Sequence, residues 1–523
     1  MIHRSNRPPT NVPTDLLSQH VLAGTQHRDD QPALIDGATG AVLTYGELLA
    51  QADAGAVGLT DAGLVPGDVV ALISHNQPVF AVAVHAALRA GCAVSPLNPM
   101  LTDGEIRKLL EQSRAKAVIA SDGCLDKVLA ATAHLPDIGI YVLGEHPGAT
   151  SFAEVVNNGR DRMPPAITLD PATAIAALPF SSGTTGASKG VMLTHRNLVA
   201  NVEQLRAGWR LDGEDVLCAV LPFFHIYGFT IILNSALRAG ATIVTLPRFD
   251  VTDYLRVVER YGVTRGHFAP PMVLALANHP ERGEFDLSSM SRGICGAAPL
   301  DEDLATRAED NLGCVIRQGY GMTEASPGTH LVFDDRWEDT PAGSIGELMP
   351  GTEARLVDPL TGEECAAGEA GELLVRGPQV MLGYLDNPSA TRETLVDGWL
   401  RTGDVARVDE DGHWYVVDRI KELIKYKGYQ VAPAELEAVL LTHPEVLDAA
   451  VVAMPHPTGG EAPKAYVVTA GSTSAEDVMA FVADRVAPYK KVRAVEFIDE
   501  IPKSPAGKIL RRLLKTSQTE VSA

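Results

Sequence analysis

The sequence predicts an α/β protein with a large N-terminal region of α/β layers, a β-rich subdomain within it and a small α+β C-terminal domain. Short β-rich runs alternate with helical patterns, which is typical of parallel sheets. The clearest strand and helix pairs are 69–74 with 78–89, 117–120 with 125–133, and 242–246 with 251–261. After about residue 340 the pattern changes to short strands separated by turns, at 353–357, 372–376 and 413–417.

The distribution of charge places a domain boundary near residue 420. Residues 420–523 contain 13 basic and 13 acidic residues, so the whole net charge of −22 lies in residues 1–419. We therefore expect an N-terminal domain over 1–420, with the β-rich subdomain at about 340–420, and a C-terminal domain over 421–523. Basic residues bunch at 485–493 and 503–515, where they either face a phosphorylated ligand or form a solvated surface.

Length and composition exclude several classes of protein. A chain of 523 residues is long enough for two to four domains of roughly 100–200 residues each. Its 46% hydrophobic and 21% charged residues are typical of globular proteins rather than disordered ones. The net charge of −22 argues against nucleic acid or an anionic membrane as a partner. An anionic ligand must therefore bind at a local site.

Cysteine usage and hydropathy favour a cytoplasmic location. Six cysteines lie far apart without a C-x-x-C pair, so we expect reduced, mostly buried thiols. They are Cys92, Cys124, Cys218, Cys295, Cys314 and Cys365. No stretch approaches the ~18 apolar residues of a membrane span, and no N-terminal apolar segment suggests a signal peptide. The sequence leaves the oligomeric state open.

The ten residues 181–190, SSGTTGASKG, follow an apolar run at 174–180. Glycines let the backbone turn tightly and expose N–H groups, while the hydroxyls and the Lys189 ammonium can donate to phosphate oxygens. A Walker A loop would require Gly in place of Ser188 and Ser or Thr in place of Gly190, which disfavours a P-loop NTPase. The segment predicts a phosphate-binding loop, with a flexible surface turn as the plainer alternative.

This loop resembles the nucleotide loop of the adenylate-forming superfamily, which comprises acyl-CoA synthetases, nonribosomal peptide adenylation domains and beetle luciferases. Further motifs of that superfamily follow in the expected order, and the resemblance covers roughly residues 15–515. They are LPFFHIYG at 221–228, GAAPL at 296–300, QGYGMTE at 318–324, WLRTGD at 399–404, DRIKE at 418–422 and PAGK at 505–508. The segment KYKGYQVAPAE at 425–435 looks particularly like the 4-coumarate:CoA ligase branch.

The resemblance implies an enzyme that activates a small carboxylic acid with ATP. In such enzymes the carboxylate attacks the α-phosphate of ATP to give acyl-AMP and pyrophosphate, and a thiol then displaces AMP. The first step brings two anions together, so it needs cations and oriented hydrogen-bond donors. The implied ligands are ATP, Mg²⁺ and either coenzyme A or the phosphopantetheine of an acyl carrier protein.

The phosphate groups of ATP have implied partners in two motifs. By resemblance, Thr184, Thr185 and Lys189 hold the β- and γ-phosphates, and Thr323 holds the α-phosphate. Glu324 is implied as the ligand of a Mg²⁺ ion that bridges phosphate oxygens.

The nucleoside also has implied partners. Tyr320 is expected against the adenine, with Gly296 and Ala297 lining the same slot, and Asp404 is expected to accept hydrogen bonds from both ribose hydroxyls, with Arg419 nearby. The same motifs add Ser181, Ser182, Gly183, Gly186, Ala298, Gln318, Gly319 and Gly321 to the expected nucleotide site.

The C-terminal domain carries the implied catalytic lysine and a hinge. Lys508 matches the lysine that reaches the acyl carboxylate and the α-phosphate during adenylation, and Lys421 matches the hinge about which this mobile domain swings in similar enzymes. A neighbouring segment is implied near the nucleotide or the pantetheine tunnel, although its lysines could simply be exposed. Its expected residues are Lys425, Lys427, Gly428 and Gln430.

The acyl group has a separate set of expected partners. By resemblance, His225 is a catalytic-site residue that guards the path between the acyl group and the thiol, with a buried structural histidine as the plainer alternative. The expected acyl pocket consists of Tyr227, Gly228, Ile294, Pro327 and Gly328.

The pocket sequence indicates an apolar acid. Residues 228–233 are GFTIIL and lack the Asp with which amino-acid adenylation domains pair the substrate amine. Coumarate ligases often carry a polar residue where Ile294 and Cys295 stand, so a ring hydroxyl is expected to lack a partner. Burying it unpaired costs roughly 1–3 kcal/mol, which favours unsubstituted cinnamate-like aryl acids or medium-chain fatty acids.

Three functions from different classes are compatible with these motifs. An acid–thiol ligase, that is, an AMP-forming acyl-CoA synthetase, suits the hinge segment and the C-terminal domain. An acyl-AMP ligase that loads an acyl carrier protein is the alternative, although the insertion frequent in such enzymes is not evident between Gly371 and Asp404. A luciferase-like oxygenase or an inactive binding protein is the third, and fold resemblance alone does not choose among them.

Overall fold

Strands and helices alternate along most of the chain, which confirms the predicted α/β class. The computed structural model describes residues 1–515 apart from 24–26, 136, 183–187, 281, 360, 427–428, 457–459, 505–506 and 512. The sequence pairs near 69–89, 117–133 and 242–261 are each a strand followed by a helix.

The first part of the chain begins its helices with polar caps. Thr44 and Glu47 bond each other's backbone N–H groups in a capping box, as do Thr102 and Glu105, so both helices start where the sequence provides these pairs. The elements are β1 His3–Arg4, α1 Leu17–Val21, β2 Pro32–Asp36, β3 Val42–Thr44, α2 Tyr45–Asp61, β4 Val69–Ile73, α3 Pro78–Arg89, β5 Ala93–Leu97, α4 Asp103–Ser113, β6 Ala117–Ser121, α5 Asp122–Thr132, β7 Gly139–Leu143, β8 Thr150–Ser151 and α6 Phe152–Gly159.

The second part carries most of the motifs. Its elements are β9 Ile175–Ala177, β10 Phe180–Ser182, β11 Ser188–Thr194, α7 His195–Gly208, β12 Val216–Ala219, a π-helix Tyr227–Asn234, α8 Ser235–Ala239, β13 Thr242–Thr245, α9 Val251–Tyr261, β14 Arg265–Phe268, α10 Pro270–Asn278, a 3₁₀ turn Arg282–Glu284, β15 Arg292–Cys295, α11 Glu302–Leu312, β16 Val315–Gln318 and β17 Tyr320–Gly321.

The rest of the chain is richer in strands. Up to residue 419 it contains a 3₁₀ turn Thr323–Ala325, β18 Gly328–Leu331, a 3₁₀ turn Asp334–Arg336, β19 Glu347–Leu348, β20 Glu353–Val357, β21 Gly371–Arg376, β22 Gly383–Tyr384, α12 Pro388–Thr394, β23 Leu395–Val396, β24 Trp399–Val408 and β25 Trp414–Arg419. After it come β26 Ile424–Tyr426, β27 Tyr429–Val431, α13 Pro433–Leu441, β28 Val446–His456, β29 Gly460–Thr469, α14 Ala475–Ala483 and β30 Ala494–Phe497.

Two large sheets form the N-terminal layers. One has the order β10-β11-β9-β5-β4-β6-β7-β8, with β22 paired to β11, and its central strands β5, β4, β6 and β7 are parallel. The other has the order β16-β15-β14-β12-β13-β2-β3 and is parallel except for the last pair. Because the central strands are buried on both faces, they read as continuous apolar runs.

Smaller sheets follow in the region predicted to be β-rich. Strands β1-β20-β21-β24-β23, with β25 on β24, form an antiparallel sheet, and β17-β18-β19 form another. The last sheet, β27-β26-β29-β28 with β30 on β29, has its own apolar core, which includes Ile424, Leu436, Val451, Val467 and Val482. The domain boundary at 420/421 stays a prediction.

Within the described residues, no helix combines the length and apolarity needed to cross a membrane. Five of the cysteines are buried and Cys365 is partly exposed, and all six are free thiols.

Candidate active site

Asp404 lies at the centre of the predicted nucleotide site. It is 2% exposed and stands opposite Arg419 in the antiparallel register of β24 and β25. The Arg419 Nε atom lies 2.8 Å from one carboxylate oxygen, and the Tyr320 hydroxyl donates to the other. Burial raises the pKa of Asp404, while Arg419 and Tyr320 act in the opposite direction. The structure thus brings three predicted nucleotide residues into one hydrogen-bonded group.

Lys508 reaches this group from the C-terminal domain. Burial and the nearby Arg419 charge lower the pKa of Lys508, while Glu422 and Asp404 oppose that shift. Burial, together with the Lys508 charge, lowers the pKa of His225 to about 4. These electrostatic effects agree with a position of the predicted catalytic lysine near both the predicted ribose-binding residues and the predicted acyl-path histidine.

Gly507 lets the Lys508 segment approach the N-terminal domain closely. Its φ of +79° lies in the left-handed region, and a Cβ atom built on it would be 3.2 Å from the Ala269 Cβ and 3.0 Å from the Pro271 Cδ. Ser504 and Lys508 exchange hydrogen bonds around this turn. The turn therefore rests on the start of α10.

Glu324 lies next to the phosphate loop. It is 7% exposed and accepts hydrogen bonds from the Ser181 hydroxyl, at 3.2 Å, and from the Tyr384 hydroxyl, at 2.9 Å. The Lys189 ammonium lies 4.8 Å from the centre of the Tyr384 ring, so the loop's cation and the carboxylate flank one tyrosine. An oriented carboxylate beside a phosphate loop has the donor chemistry that Mg²⁺ prefers.

The phosphate loop itself is bounded by a pair of antiparallel strands. Phe180 pairs with Gly190, Ser181 with Lys189, and Ser182 with Ser188. The predicted residues Gly183, Thr184, Thr185 and Gly186 lie outside the described residues. Thr323 begins the 3₁₀ turn that carries Glu324.

Three residues predicted to line the acyl pocket lie at or beside the π-helix. The Tyr227 hydroxyl donates to the Ile294 carbonyl at 3.3 Å, and a Cβ on Gly296 would lie 3.0 Å from the Tyr227 ring. Gly228 is required by packing, because a Cβ there would lie 2.1 Å from the Pro222 carbonyl oxygen. The acyl and nucleotide motifs therefore meet at Gly296.

Pro327 and Gly328, also predicted for the acyl pocket, contact the nucleotide motif and the Asn201 side chain. Gly328 exchanges two backbone hydrogen bonds with the Asn201 side chain, each at 3.0 Å. A Cβ on Gly321 would lie 2.2 Å from the Pro327 carbonyl oxygen, so these loops touch.

Other predicted nucleotide residues support the backbone of the site. The Gln318 side chain bonds the N–H of Leu300 at 2.8 Å and the carbonyls of Leu300 and Ala342, so its amide braces the GAAPL loop. In that loop Ala297 has a φ of 72°, and Ala298 follows it. Gly319 donates its N–H to the Cys295 carbonyl.

The predicted hinge and tunnel segment is described in part. Lys421 lies in the turn between β25 and β26, and the Lys425 N–H donates to Glu461 at 2.8 Å. Gln430 lies in β27, while Lys427 and Gly428 lie outside the described residues.

Three basic residues in the two bunches of the C-terminal domain form ion pairs with acidic residues of the same domain. Lys490 contacts Glu435 and Lys503 contacts Asp448, each at 2.6 Å. Arg511 bonds Glu437 at 2.6 Å and also Glu422, just after the hinge. For these basic residues the sequence left two interpretations open, contact with a phosphorylated ligand or a solvated surface. Neither interpretation includes the ion pairs that Lys490, Lys503 and Arg511 make.

The structure adds three residues that the motifs did not suggest. Tyr384 holds Glu324, and Arg511 ties the Lys508 segment to Glu422. His267 on β14 stands opposite Ile294 in register, and its ring centroid is 6.1 Å from that of Tyr227. No sequence signal marks His267, because its relation to the pocket depends on which strand lies beside β15.

Comparison with known proteins identifies the class. A family model described as AMP-binding enzyme matches residues 22–385, and one described as AMP-binding enzyme C-terminal domain matches residues 435–508. The chain therefore belongs to the AMP-binding enzyme family, which confirms the resemblance of its motifs to adenylate-forming enzymes.

Particular relatives narrow the comparison. The chain is 39% identical over 526 residues to 4-coumarate–CoA ligase 2 of Nicotiana tabacum, covering 98% of this chain and 97% of that one. It is 41% identical over 528 residues to 4-coumarate–CoA ligase 5 of Oryza sativa subsp. japonica, with 98% and 97% covered. The crystal structure of ATP-bound MatB from Rhodopseudomonas palustris has a TM-score of 0.88 at 29% identity, covering 98% of this chain and 100% of that one.

We expect Lys508→Ala to reduce acid-dependent ATP–pyrophosphate exchange about 100- to 1,000-fold, because it removes a partly buried cation from the predicted position of the reacting anions. ATP binding, measured by calorimetry, should remain within about threefold of the wild type, since Asp404 and Tyr320 are unchanged. Lys503→Ala is the matched control, because Lys503 lies in the same segment but pairs with Asp448. If Lys508→Ala exchanges near the wild-type rate, Lys508 is not the catalytic lysine of adenylation.

Proposed function

We propose that this protein is an AMP-forming acid–thiol ligase that activates an apolar carboxylic acid with ATP and transfers the acyl group to coenzyme A. The observation that carries the proposal is the close approach of the Gly507 turn to Ala269 and Pro271, which brings the neighbouring Lys508 to the N-terminal motifs. The electrostatic influence of Lys508 on Asp404 and His225 agrees with this position. A lysine of the C-terminal domain thus reaches the point where the nucleotide and acyl motifs meet. The names of the 4-coumarate–CoA ligases that it resembles support the same activity.

The nucleoside is proposed to bind at the Asp404 group. The carboxylate has two oxygens to offer to the ribose hydroxyls, and Arg419 and Tyr320 hold it in one orientation. Because its hydroxyl is bonded to Asp404, the Tyr320 ring stays beside the ribose position and can lie against the adenine. The binding geometry is therefore largely formed before ATP arrives.

The adenylation step is proposed to depend on cations held in a low-dielectric site. The acid and the α-phosphate are both negative, and Lys508 can approach the oxygens of both. Its lowered pKa shows that the ammonium is poorly solvated, and electrostatic attraction is stronger in such surroundings than in water. Lys189 and Thr323 are proposed to hold the phosphates in line with the attacking carboxylate.

Glu324 is proposed to hold Mg²⁺ together with phosphate oxygens of ATP. The hydroxyls of Ser181 and Tyr384 fix the carboxylate at the edge of the phosphate loop. Bound Mg²⁺ would supply neutralisation of the phosphate charge.

Thioester formation is proposed to use the same site after a rearrangement of the C-terminal domain about Lys421. His225 is neutral near pH 7, because its pKa is about 4, so its ring can border the path of the thiol without adding charge. Residues 425–430 are proposed to approach the pantetheine in that arrangement. An acyl carrier protein is the alternative acceptor.

The proposal is tested by carboxylate-dependent ATP–pyrophosphate exchange across aryl, short-, medium- and long-chain acids without a thiol. We expect exchange with cinnamate-like or medium-chain acids, followed by thioester formation when coenzyme A is added. Holo acyl carrier protein in place of coenzyme A is the matched comparison. If the protein binds ATP but shows no exchange with any acid, the proposed adenylation activity is refuted. If the thioester forms with the carrier protein and not with coenzyme A, coenzyme A is refuted as the acceptor.

The apolar wall at Ile294 predicts a preference between two cinnamates. Unsubstituted cinnamate should have a kcat/KM about 5- to 100-fold above that of 4-hydroxycinnamate, because the hydroxyl would be desolvated against an apolar wall. His267 is the neighbouring polar ring that could instead receive the hydroxyl. A kcat/KM for 4-hydroxycinnamate equal to or above that for cinnamate would overturn the assignment of an apolar acid. Loss of this activity in His267→Phe would assign the binding of the hydroxyl to His267.

A further inference from the structure

Four aromatic rings connect the N-terminus to the proposed adenine site. The ring centroids are 5.2 Å apart for His3 and Trp414, 5.0 Å for Trp414 and His330, and 5.8 Å for His330 and Tyr320. We call these four residues the aromatic column. Two of its three contacts are edge-on, and the contact between Trp414 and His330 is tilted by 57°. Both geometries are favourable for aromatic pairs.

His330 is the member that contacts Tyr320. The two residues stand opposite each other in the register of β17 and β18, and His330 is 2% exposed. Its Nδ1 lies 2.9 Å from the Thr329 hydroxyl, which also lies 3.4 Å from the Tyr320 carbonyl oxygen. Burial lowers the pKa of His330 to about 3, so the ring is neutral and acts by packing.

The outer end of the column is held by residues 3–7, which we call the N-terminal strap. His3 and Arg4 pair with Ala354 and Glu353 of β20. The Ser5 hydroxyl donates to the Leu348 carbonyl at 2.8 Å, and Arg7 makes two hydrogen bonds of 2.8 Å to Asp335. These bonds attach the N-terminal strap to three separate segments of the β-rich part of the chain. The strap therefore keeps His3 against Trp414.

We propose that His330 and Trp414 are positioning residues for ATP, and that the N-terminal strap completes their support. They fix the plane of the Tyr320 ring, whose far end is already anchored by its hydrogen bond to Asp404. A ring held at one end only can rotate, and ordering it on binding would weaken ATP affinity. This inference rests on the proposed function, because it takes Tyr320 as the residue beside the adenine.

The ring of His330, rather than its nitrogens, carries this role. His330→Leu should raise the Kd of ATP about three- to tenfold, because the edge contact with Tyr320 is lost. His330→Phe keeps a ring and should stay within about twofold of the wild type. Calorimetric titration of the full-length protein with ATP, without an acid, measures both variants.

A second ligand separates positioning from general damage. Inorganic triphosphate can occupy the phosphate loop but has no adenine to meet Tyr320. Its inhibition constant against ATP–pyrophosphate exchange should be unchanged in His330→Leu, as should kcat and the KM of the acid. A loss of triphosphate affinity equal to the loss of ATP affinity would overturn the proposal in favour of a merely structural role.

The strap is tested by two neighbouring residues of one strand. His3→Ala should raise the Kd of ATP about two- to threefold, whereas Arg4→Ala, which removes only the ion pair with Glu353, should not. His3 is partly exposed, so this pair gives a result even where His330→Leu fails to fold.

The outcomes also separate this inference from the proposed function. Wild-type protein that shows neither ATP binding nor exchange would contradict the function itself. Normal exchange in the wild type with unchanged ATP affinity in both His330→Leu and His3→Ala would overturn the positioning role alone.

Discussion

The ion pair between Asp404 and Arg419 is the interaction on which the site depends. It occupies the end of the β24 and β25 ladder, and the next residue, Ile420, closes that ladder with a hydrogen bond from its N–H to the Gly403 carbonyl. The chain then turns towards the C-terminal domain. One pair of strands therefore both orients the carboxylate proposed to bind the ribose and precedes the segment that leads to Lys508.

The electrostatics of the site follow from this arrangement. The chain as a whole carries a charge of −22, yet two cations, Arg419 and Lys508, are concentrated where ATP is proposed to bind. Arg511 ties the segment after Lys508 to Glu422 and Glu437, so the lysine is held by ion pairs within its own domain. A polyanionic ligand is therefore expected to bind at a local site rather than to the surface in general.

Much of the site could be predicted from the sequence, because contiguous motifs encode it. The motifs that end in Asp404, Glu324 and Lys508 are short, and their order along the chain is sufficient to identify them. The strand followed by a helix at 69–89 could likewise be predicted from the sequence, because buried parallel strands are continuous apolar runs.

Other features depend on pairing between distant segments and could not be read from local patterns. His267 borders the pocket only because β14 lies beside β15, and Tyr384 reaches Glu324 only because β22 joins β11. Gln318 belongs to a nucleotide motif, yet its amide supports the backbone of the GAAPL loop. Motif membership therefore predicts which residues belong to the site without specifying what each side chain contacts.

The most direct test of the account adds a side chain where the Lys508 segment meets the N-terminal region. A Cβ on Gly507 would lie 3.2 Å from the Ala269 Cβ and 3.0 Å from the Pro271 Cδ, and the φ of Gly507 is +79°. Gly507→Ala should therefore displace Lys508 from the Asp404 group while leaving the residues of the N-terminal region unchanged. The measurement compares pyrophosphate exchange with thioester formation from supplied acyl-AMP and coenzyme A.

If this arrangement is the one that adenylates, Gly507→Ala will lose most of its pyrophosphate exchange, bind ATP as the wild type does and still form the thioester from supplied acyl-AMP. Exchange at the wild-type rate in Gly507→Ala would contradict the account, as would equal losses of exchange and of thioester formation.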